Sequence, residues 1–484
     1  MEPLFGLSIN LSGRGSRTLL RTFHSQLRTA ILEGRLKPGV RLPSTRALAL
    51  ACGVSRNTTV ATYDLLLSEG YVSARRGSGT VVAASLPQSA KRRSTASRRG
   101  YRQQLNPYWR GQDLAIGGLP STPPPCDFQV GVPHVAGFPY AIWRRLAGRV
   151  DRSLRDGRLQ VAGSQGLPAL RAAIARHVSN SRAVACDPAD IVVTAGAQQA
   201  FDLLARVLTT PSRTTVALEN PGYPPVGAAF AAQGAKLEMI SVDGEGLLVE
   251  RLPPQARVVC VTPSHQFPLG AVLSARRRTA LIDWCAQHGS VVVEDDYDSE
   301  FRFADRPLDA LQTLDRAQSV FYVGTFSKSL LPELRLGYIV APRWALAALI
   351  AAKQIADGQC SALTQATVAL LIREGHLARH VRRMQRLYAR RRAVLIDGLQ
   401  SSCREWLEIL PSVAGLHVAA RLKAGREEAH VLAQALAAGV GVKSLRSYYT
   451  AKPSVRGLIF GYGNIAERDI VEGIKRLRSF MARR

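Results

Sequence analysis

A polar, basic stretch over residues 85–125 divides this chain and limits what can fold on either side of it. The stretch contains Lys91-Arg92-Arg93 and Pro123-Pro124-Pro125, and it lacks the apolar spacing that a buried face requires. With 484 residues, the chain is long enough for two or more domains. We therefore expect a basic flexible linker here, between one domain over residues 12–84 and a second over residues 126–484.

Positive charge is concentrated before and within this linker. The chain has a formal net charge of +28, and its first 125 residues carry 18 basic and 5 acidic side chains. A polyanionic partner such as nucleic acid explains this excess. A proteome that is basic throughout also explains it, because Arg and Ala are frequent along the whole chain.

The cysteines and the apolar runs indicate where the protein is found. The seven cysteines are scattered, are odd in number and form no C-x-x-C pair. This argues against a metal site and a disulfide framework. The first residues lack the basic and apolar segments of a signal peptide, and the longest apolar run, near residues 345–352, is too short to span a bilayer. We expect a cytoplasmic protein with no membrane contact.

Short helical patterns separated by turn signals precede the linker. Ser44 and Ser55 are predicted N-caps of a second and a third helix. The third helix is expected to bury Val60, Tyr63 and Leu67. Two short strands joined by a glycine-rich turn follow, so we predict an α+β winged helix-turn-helix domain.

The start of the predicted third helix has the composition of a recognition helix. Such a helix needs polar side chains that reach base edges and basic side chains that hold phosphates. The helix begins Ser55-Arg56-Asn57-Thr58, and Arg41, Ser44 and Thr45 lie where a phosphate could bind. The alternative is the solvated polar face of an ordinary helical hairpin.

The run from Leu27 to Val82 resembles the DNA-binding domain of the GntR family of bacterial transcription regulators. The shared motifs are the P-G-x-R-L-P-S turn, the G-V-S-R helix start and the G-S-G-T wing. The resemblance implies binding to double-stranded DNA. It implies DNA contacts at these positions: Arg41, Ser44, Thr45, Arg46, Ser55, Arg56, Asn57, Thr58 and Gly77.

After the linker, predicted strands alternate with predicted helices. The strands, such as residues 258–261 and 320–323, are short apolar runs, which is typical of a parallel sheet covered on both faces. The helices, such as residues 197–208, follow them in alternation. We therefore predict a large α/β domain.

Chemically reactive side chains follow two of these strands. Lys328 comes after the strand at residues 320–323, and Asp295 and Tyr297 come after the strand at residues 291–293. The carboxyl ends of parallel strands meet at one edge, where open α/β sheets bind ligands. A lysine, an acid and a phenol therefore converge.

A phosphate-binding feature accompanies them. Residues 194–199 open a helix whose free N–H groups suit a phosphate, and Arg335 can pair with that phosphate. This combination is what pyridoxal 5'-phosphate requires. Lys328 would form the Schiff base, Asp295 would hold the pyridine nitrogen, Tyr297 would bond the ring hydroxyl and Tyr223 would stack on the ring. Singly, each residue also has an ordinary structural explanation.

From about Gln129 onward the chain resembles the fold-type I aminotransferases, and as a whole it resembles the MocR subfamily of GntR-type regulators. The resemblance is carried by VTAGAQQAFDLLARVL, ENPGYPP and GTFSKSLLPELRLGYIVAP. It implies a homodimer with pyridoxal phosphate held as an internal aldimine on Lys328, the predicted catalytic residue. The predicted cofactor-binding residues are Lys328, Asp295, Tyr297, Tyr223, Gly196, Ala197, Gln198, His265, Thr325, Ser327 and Arg335.

Three positions depart from the family pattern. Ile459 stands where the family usually has an Arg that grips a carboxylate, Val161 lies where a Tyr is expected, and Leu269 interrupts a usual Pro-Thr-Gly. Arg456, three residues before Ile459, is an open substitute for the missing cation. Without that cation, ordinary amino-acid transamination is disfavoured because the substrate is not oriented.

Three functions are therefore weighed. We expect a transcription regulator that binds an operator with two half-sites and whose aminotransferase-like domain senses pyridoxal phosphate or a small amine. The first alternative is an active aminotransferase with an attached DNA-binding domain, which the Lys328, Asp295 and Tyr297 set favours. The second is a regulator whose large domain only dimerises.

Overall fold

The computed structural model describes residues 16–75, 79–84, 103–110, 123–158, 163–303, 309–423, 425–450 and 453–482. These residues form two compact units, which lie within Met1–Arg110 and Gly111–Arg484. Gly77, Val161 and most of the predicted linker lie outside the described residues.

The first unit has three helices of two or more turns and a two-stranded sheet. Its elements are α1 (Ser16–Leu32), α2 (Thr45–Cys52), α3 (Arg56–Ser68), β1 (Val72–Arg75), β2 (Gly79–Val82) and the short α4 (Pro107–Arg110). β1 and β2 pair antiparallel, with Val72 opposite Val82. Phe23, Leu27 and Leu66 are buried between the helices. This is the predicted winged helix-turn-helix.

Side-chain caps set the turn between α2 and α3. Ser44 Oγ accepts from the Ala47 amide at 3.2 Å, and Ser55 Oγ accepts from the Thr58 amide at 3.0 Å. Both caps were predicted. Gly53 ends α2 with a φ of +64°, a backbone conformation that costs glycine little because it has no Cβ.

The buried face of α3 differs from the prediction. Val60 and Leu67 are 37% and 44% exposed, whereas Tyr63 is buried as expected. The buried residues of the helix are Thr59, Thr62, Tyr63 and Leu66. They follow three- and four-residue spacing, and Val60 and Leu67 lie on the other side of the same helix. The Tyr63 hydroxyl donates to Pro43 O at 2.8 Å and ties α3 to the chain before α2.

The second unit is built on an eight-stranded sheet in the order β4-β11-β10-β9-β8-β5-β6-β7. The strands are β4 (Ile191–Thr194), β5 (Thr215–Asn220), β6 (Lys236–Asp243), β7 (Gly246–Leu247), β8 (Ala256–Val261), β9 (Val291–Asp296), β10 (Val320–Thr325) and β11 (Gly337–Val340). β6, β5, β8, β9 and β10 are parallel to one another, but β11 runs antiparallel to both β10 and β4. The segment between Thr325 and Gly337 is too short for a parallel crossover, so the sheet is mixed.

Helices cover this sheet, and a smaller sheet lies toward the C-terminus. The helices are α5 (Tyr140–Arg155), α6 (Pro168–Arg182), α7 (Ala197–Leu208), α8 (Pro224–Ala232), α9 (Ala275–His288), α10 (Arg343–Asp357), α11 (Ala362–Arg373), α12 (His376–Ser402), α13 (Glu428–Ala437) and α14 (Glu467–Met481). The other strands are β3 (Cys126–Asp127), β12 (Leu407–Ile409), β13 (His417–Leu422), β14 (Val440–Gly441), β15 (Lys443–Ser444) and β16 (Gly457–Gly461). The second sheet has the order β12-β13-β16-β15, and β3 pairs with β14.

The strand register brings the predicted reactive residues to one edge. Asp295 pairs with Val323, and Asp296 with Gly324, at the ends of the parallel strands β9 and β10. Lys328 follows three residues after the end of β10. Within the described parts of the chain, no helix has the length and apolar character needed to cross a membrane.

Candidate cofactor site and DNA-binding helix

A cavity of about 290 Å³ lies at the carboxyl ends of the parallel strands. Nine predicted cofactor-binding residues line it: Ala197, Gln198, Tyr223, Asp295, Tyr297, Thr325, Ser327, Lys328 and Arg335. The other two lie just behind its wall. Gly196 precedes α7, and His265 is buried against Tyr297. Residues that are up to about 140 positions apart thus meet in one space.

Lys328 is held in the cavity by a backbone carbonyl group. Its Nζ donates to the carbonyl oxygen of Gly131 at 2.6 Å. A Cβ at Gly131 would lie 2.9 Å from this nitrogen, and the φ of +74° at Gly131 also favours glycine. Burial lowers the pKa of the Lys328 amine, and the carboxylates of Asp298 and Asp295 oppose that shift. A lowered pKa favours the unprotonated, nucleophilic amine.

Asp295 offers an acceptor with no partner. Its Oδ1 is buried and has no hydrogen bond to any described part of the protein. Burial, followed by repulsion from Asp296, Asp298 and Glu219, raises the pKa of this carboxyl well above its usual range. Leaving a buried polar atom unpaired is costly, so the position favours a ligand that brings a donor or a positive charge.

The Tyr297 hydroxyl is oriented by a buried histidine. It donates to the His265 carbonyl oxygen at 3.0 Å and lies 2.9 Å from His265 Nδ1. On the far side, His265 Nδ1 lies 3.1 Å from Asp298 Oδ1, and Nε2 lies 3.0 Å from Ser412 Oγ. This network fixes the phenol at the cavity wall.

The opposite end of the cavity suits a phosphate. α7 begins after Gly196 without a side-chain cap, so its first N–H groups point toward the cavity end. Arg335 Nη2 donates to Ala195 O at 3.0 Å, and a Cβ at Gly196 would lie 3.3 Å from that Nη2. The Thr325 hydroxyl donates to Ser327 Oγ at 3.0 Å. A guanidinium, two hydroxyls and a helix N-terminus thus surround one small region.

These features together fit pyridoxal phosphate. The unpartnered Asp295 oxygen matches a protonated pyridine nitrogen, Tyr297 matches a ring hydroxyl, and Lys328 matches the aldehyde. The helix N-terminus and Arg335 match the phosphate. Tyr223 also lines the cavity, where its ring can pack against a planar ligand.

Sequence reasoning missed several residues of the site. Phe267, His417 and Tyr448 line the cavity, and Asp298 supports His265 from behind. Asp298 lies in the same acidic run as Asp295 and was therefore within reach of a sequence argument. His417 and Tyr448 come from distant parts of the chain, and no local motif marked them.

The histidines near the cavity form a network and are not free ligands. His265, Asp298 and His417 present possible metal-binding atoms within 4.8 Å of one another. Both nitrogens of His265 are hydrogen-bonded, and His417 Nε2 donates to Pro268 O at 3.1 Å. Burial lowers the pKa of His417 to about 3, so this ring is neutral at physiological pH.

Ile459 is fully buried beside the cavity and does not line it. It packs with Leu269, Ala419 and Leu445, in a cluster that also contacts Val130 and Tyr448 from the cavity wall. Two of the departures from the family pattern, Ile459 and Leu269, are thus neighbours. Arg456, the open substitute, is exposed and is not among the residues that line the cavity.

In the first unit, the described residues among the predicted DNA contacts lie at the starts of α2 and α3 and beside β2. Arg46, Arg56 and Asn57 are exposed. The Thr58 hydroxyl lies 2.8 Å from Ser55 Oγ, so both side chains take part in the helix cap. Arg41 packs against β2, where a Cβ at Gly79 would lie 3.3 Å from its Nε. Exposed basic and polar groups at a helix N-terminus suit a phosphate backbone and base edges.

Each of the two units matches a known protein family, and one relative matches nearly the whole chain. Residues 21–82 match the family of bacterial regulatory proteins, gntR family, and residues 141–457 match aminotransferase class I and II. The chain is 37% identical over 471 residues to the probable rhizopine catabolism regulatory protein MocR of Rhizobium meliloti, across 95% of this chain and 93% of that protein. This chain belongs to the MocR subfamily of GntR-type transcription regulators.

Other relatives agree with this MocR assignment. The pyridoxine biosynthesis transcriptional regulator PdxR of Corynebacterium glutamicum is 32% identical over 95% of this chain and 95% of its own length. The structure of kynurenine aminotransferase from Pyrococcus horikoshii in complex with PMP has a TM-score of 0.69 at 25% identity, and covers 75% of this chain and 93% of that one. The predicted fold class is confirmed: a GntR-type winged helix-turn-helix and a fold-type I aminotransferase-like α/β domain.

Proposed function

We propose that this MocR-type regulator binds pyridoxal 5'-phosphate through a covalent link to Lys328 and senses an amine ligand, or the cofactor itself, in the same cavity. The observation that carries the proposal is the buried Asp295 oxygen that has no partner among the described residues, in one cavity with Lys328. The PMP-bound aminotransferase relative supports the choice of cofactor. We also propose that the DNA-binding domain ends at residue 84 and that the cofactor-binding domain begins at residue 126.

Each residue has a defined task in this site. When bound, the cofactor supplies an aldehyde and an electron-withdrawing ring. Lys328 would bond the aldehyde carbon, Asp295 would hold a proton at the ring nitrogen, and Tyr297 would form a hydrogen bond with the ring hydroxyl. Arg335 and the N–H groups of α7 hold the phosphate. Tyr223 packs on the ring face and limits the entry of water.

Binding must change DNA affinity for the protein to act as a sensor. A ligand shifts an equilibrium only if it binds one conformation better than the other. We propose a cytoplasmic homodimer, in which ligand binding changes how two DNA-binding units engage two half-sites. The predicted contacts are those named above, from Arg41 through Thr58 together with Gly77.

An aminotransferase that carries a DNA-binding domain is the second candidate. The complete set of Lys328, Asp295 and Tyr297 in one cavity favours it. The apolar surroundings of Ile459 disfavour it, because no cation stands there to orient an amino-acid carboxylate. A purely dimerising role for the large unit does not explain why an unpartnered acid and a buried lysine share a cavity.

The test is DNA affinity with and without cofactor. The purified full-length protein selects its operator from random-sequence DNA, and fluorescence anisotropy then measures the affinity before and after loading with pyridoxal phosphate. We expect loading, or a later amine addition, to change the operator affinity by at least about fivefold, since allosteric couplings are typically 1–3 kcal/mol. Identical affinities in all states, with the cofactor bound, would contradict a sensing role.

Asp295→Asn is expected to weaken pyridoxal phosphate binding by about 10- to 100-fold, because an amide cannot neutralise a protonated ring nitrogen and charged hydrogen bonds contribute about 1.5–3 kcal/mol. Asparagine has nearly the same shape, so the fold should persist. Equilibrium titration of the protein's absorption measures the affinity. Asp283→Asn on the exposed surface of α9 is the control. Equal affinity of the Asp295→Asn variant and the wild type would contradict the role of Asp295.

Asp298→Asn is expected to move the pH profile of cofactor capture toward lower pH. Asp298 raises the pKa of Lys328, so its removal lowers that pKa further. Capture requires the unprotonated amine and is lost as pH falls through the Lys328 pKa, and this loss should therefore begin at lower pH in the variant. Stopped-flow absorption across a pH series measures the rate. A profile displaced toward higher pH would refute the electrostatic coupling.

A further inference from the structure

We propose that the ligand sensed in this cavity is a small primary amine without a carboxylate, with an apolar or aromatic body. The inference rests on the proposed function, because it takes the Lys328-linked cofactor as the group that the amine meets. It is carried by the distribution of charged and apolar groups around the cavity.

The positive charges of the cavity are already engaged. Among the described residues that line it, Arg335 and Lys328 are the basic groups, and His417 is neutral. Arg335 lies over the start of α7, where it bonds Ala195 O. Lys328 bonds Gly131 O from inside the cavity. Among the described residues, no further cation lines the cavity to neutralise a ligand carboxylate.

Two carboxyl groups lie at or near the cavity. Asp295 lines it, and Asp298 lies behind Tyr297 and His265. Asp295 would face the ring nitrogen of the bound cofactor, so the charge left to act on a ligand is that of Asp298, which repels a carboxylate. A buried carboxylate with no positive partner also loses its hydration without compensation. The charges around the cavity therefore favour binding of an amine over binding of the corresponding amino acid.

The wall beside Lys328 is aromatic and aliphatic. The Phe267 ring lies 5.9 Å from the ring of Tyr223 and 4.9 Å from that of Tyr448, both edge to face. Val130 and Tyr448 rest on the buried cluster that contains Ile459. Apolar surface of this kind favours a ligand body that leaves water readily.

The size of the cavity favours a small ligand. Its volume of about 290 Å³ is at the low end for a small-molecule site. The cofactor must occupy most of this space. The remaining space favours a short aliphatic chain or a single ring that extends toward Tyr223 and Tyr448 at the wall.

The exchange at Lys328 needs no other reactant. The incoming unprotonated amine would form a carbon–nitrogen double bond to the carbon that Lys328 holds, and the double bond from that carbon to Lys328 Nζ would break. Both protons of the incoming nitrogen would pass to Lys328 Nζ, which would leave as a free amine. Nothing is oxidised or reduced.

Two matched ligand pairs test the proposal. 2-Phenylethylamine and L-phenylalanine differ only by a carboxylate, as do propylamine and L-2-aminobutyrate. Full-length protein loaded with pyridoxal phosphate and freed of excess cofactor is titrated with each, and both the absorption spectrum and the operator affinity are followed. We expect the amine of each pair to half-saturate the change at a concentration at least tenfold below its amino acid. Equal or tighter binding of either amino acid would overturn the proposal.

A positive charge added to the cavity wall should weaken this preference for the amine. Tyr448→Arg places a cation in the cavity, and we expect it to reduce the advantage of the amine at least threefold. Leu436→Arg adds the same charge on the exposed surface of α13 and should leave the ratio unchanged. If Tyr448→Arg does not fold by circular dichroism, Val130→Arg places the charge on the same wall. An unchanged ratio in a folded variant contradicts the electrostatic argument.

The same experiment distinguishes failure of the proposed function from failure of the proposed ligand class. A protein that does not retain pyridoxal phosphate after desalting shows no spectral response to any of the four ligands. A protein that retains it, yet prefers the amino acids, leaves the proposed function intact and overturns only the ligand class.

Discussion

Lys328→Ala is expected to abolish covalent retention of pyridoxal phosphate. The wild-type protein, loaded with cofactor and reduced with borohydride, should carry a stable label on the peptide that contains Lys328. Lys328 is the one primary amine among the described residues that line the cavity, so the variant should carry no label above background. Mass spectrometry of the digested protein measures the label.

Two further variants separate the covalent link from charge and from surface chemistry. Lys328→Arg keeps a positive charge next to Gly131 O but offers no amine that bonds an aldehyde, and it should also remain unlabelled. Lys236→Ala removes an exposed lysine at the start of β6 and should be labelled as fully as the wild type. Specific labelling of another lysine in the wild type would show that the cofactor assignment is wrong.

Arg56→Ala is expected to weaken binding to the selected operator by about 10- to 100-fold. The reason is that loss of an arginine that contacts a base costs about 1–3 kcal/mol of binding free energy. Arg56 is the first residue of α3, directly after the Ser55 cap, and its side chain is exposed. Fluorescence anisotropy at fixed salt measures the affinity. The content of pyridoxal phosphate should not change, because Arg56 belongs to the first unit.

Arg35→Ala is the matched control for this effect. It removes the same charge from the same unit, but Arg35 pairs with Glu33 at 2.7 Å after the end of α1. Its expected loss of operator affinity is below about threefold, the size of a long-range charge effect. Equal losses for Arg35→Ala and Arg56→Ala would show that α3 has no special role in reading DNA.

Local chemistry made the first unit largely predictable. The Ser44 and Ser55 caps depend only on residues three positions away, and both were correctly predicted. The buried face of α3 was not, because Val60 and Leu67 are apolar yet lie on the side away from Phe23 and the rest of the core. Apolar character alone does not say which side of a helix meets its neighbours.

In the second unit, the strands were predictable from the sequence but the direction of one of them was not. The strands around residues 258–261 and 320–323 were predicted from their apolar runs, and they are present. The antiparallel direction of β11 was not predicted, because an apolar run looks the same in either direction. Only the short connection from Thr325 to Gly337 decides it.

What the sequence determined by itself was the two-unit organisation, the winged helix and the presence of a lysine, an acid and a phenol at neighbouring strand ends. Each of these depends on residues that are close in the chain. The tertiary structure decided which groups face them: Gly131 at Lys328, and His417 and Tyr448 on the cavity wall. These residues meet only because the sheet order and the C-terminal strands bring distant loops to one edge, and that arrangement leaves no local pattern in the sequence.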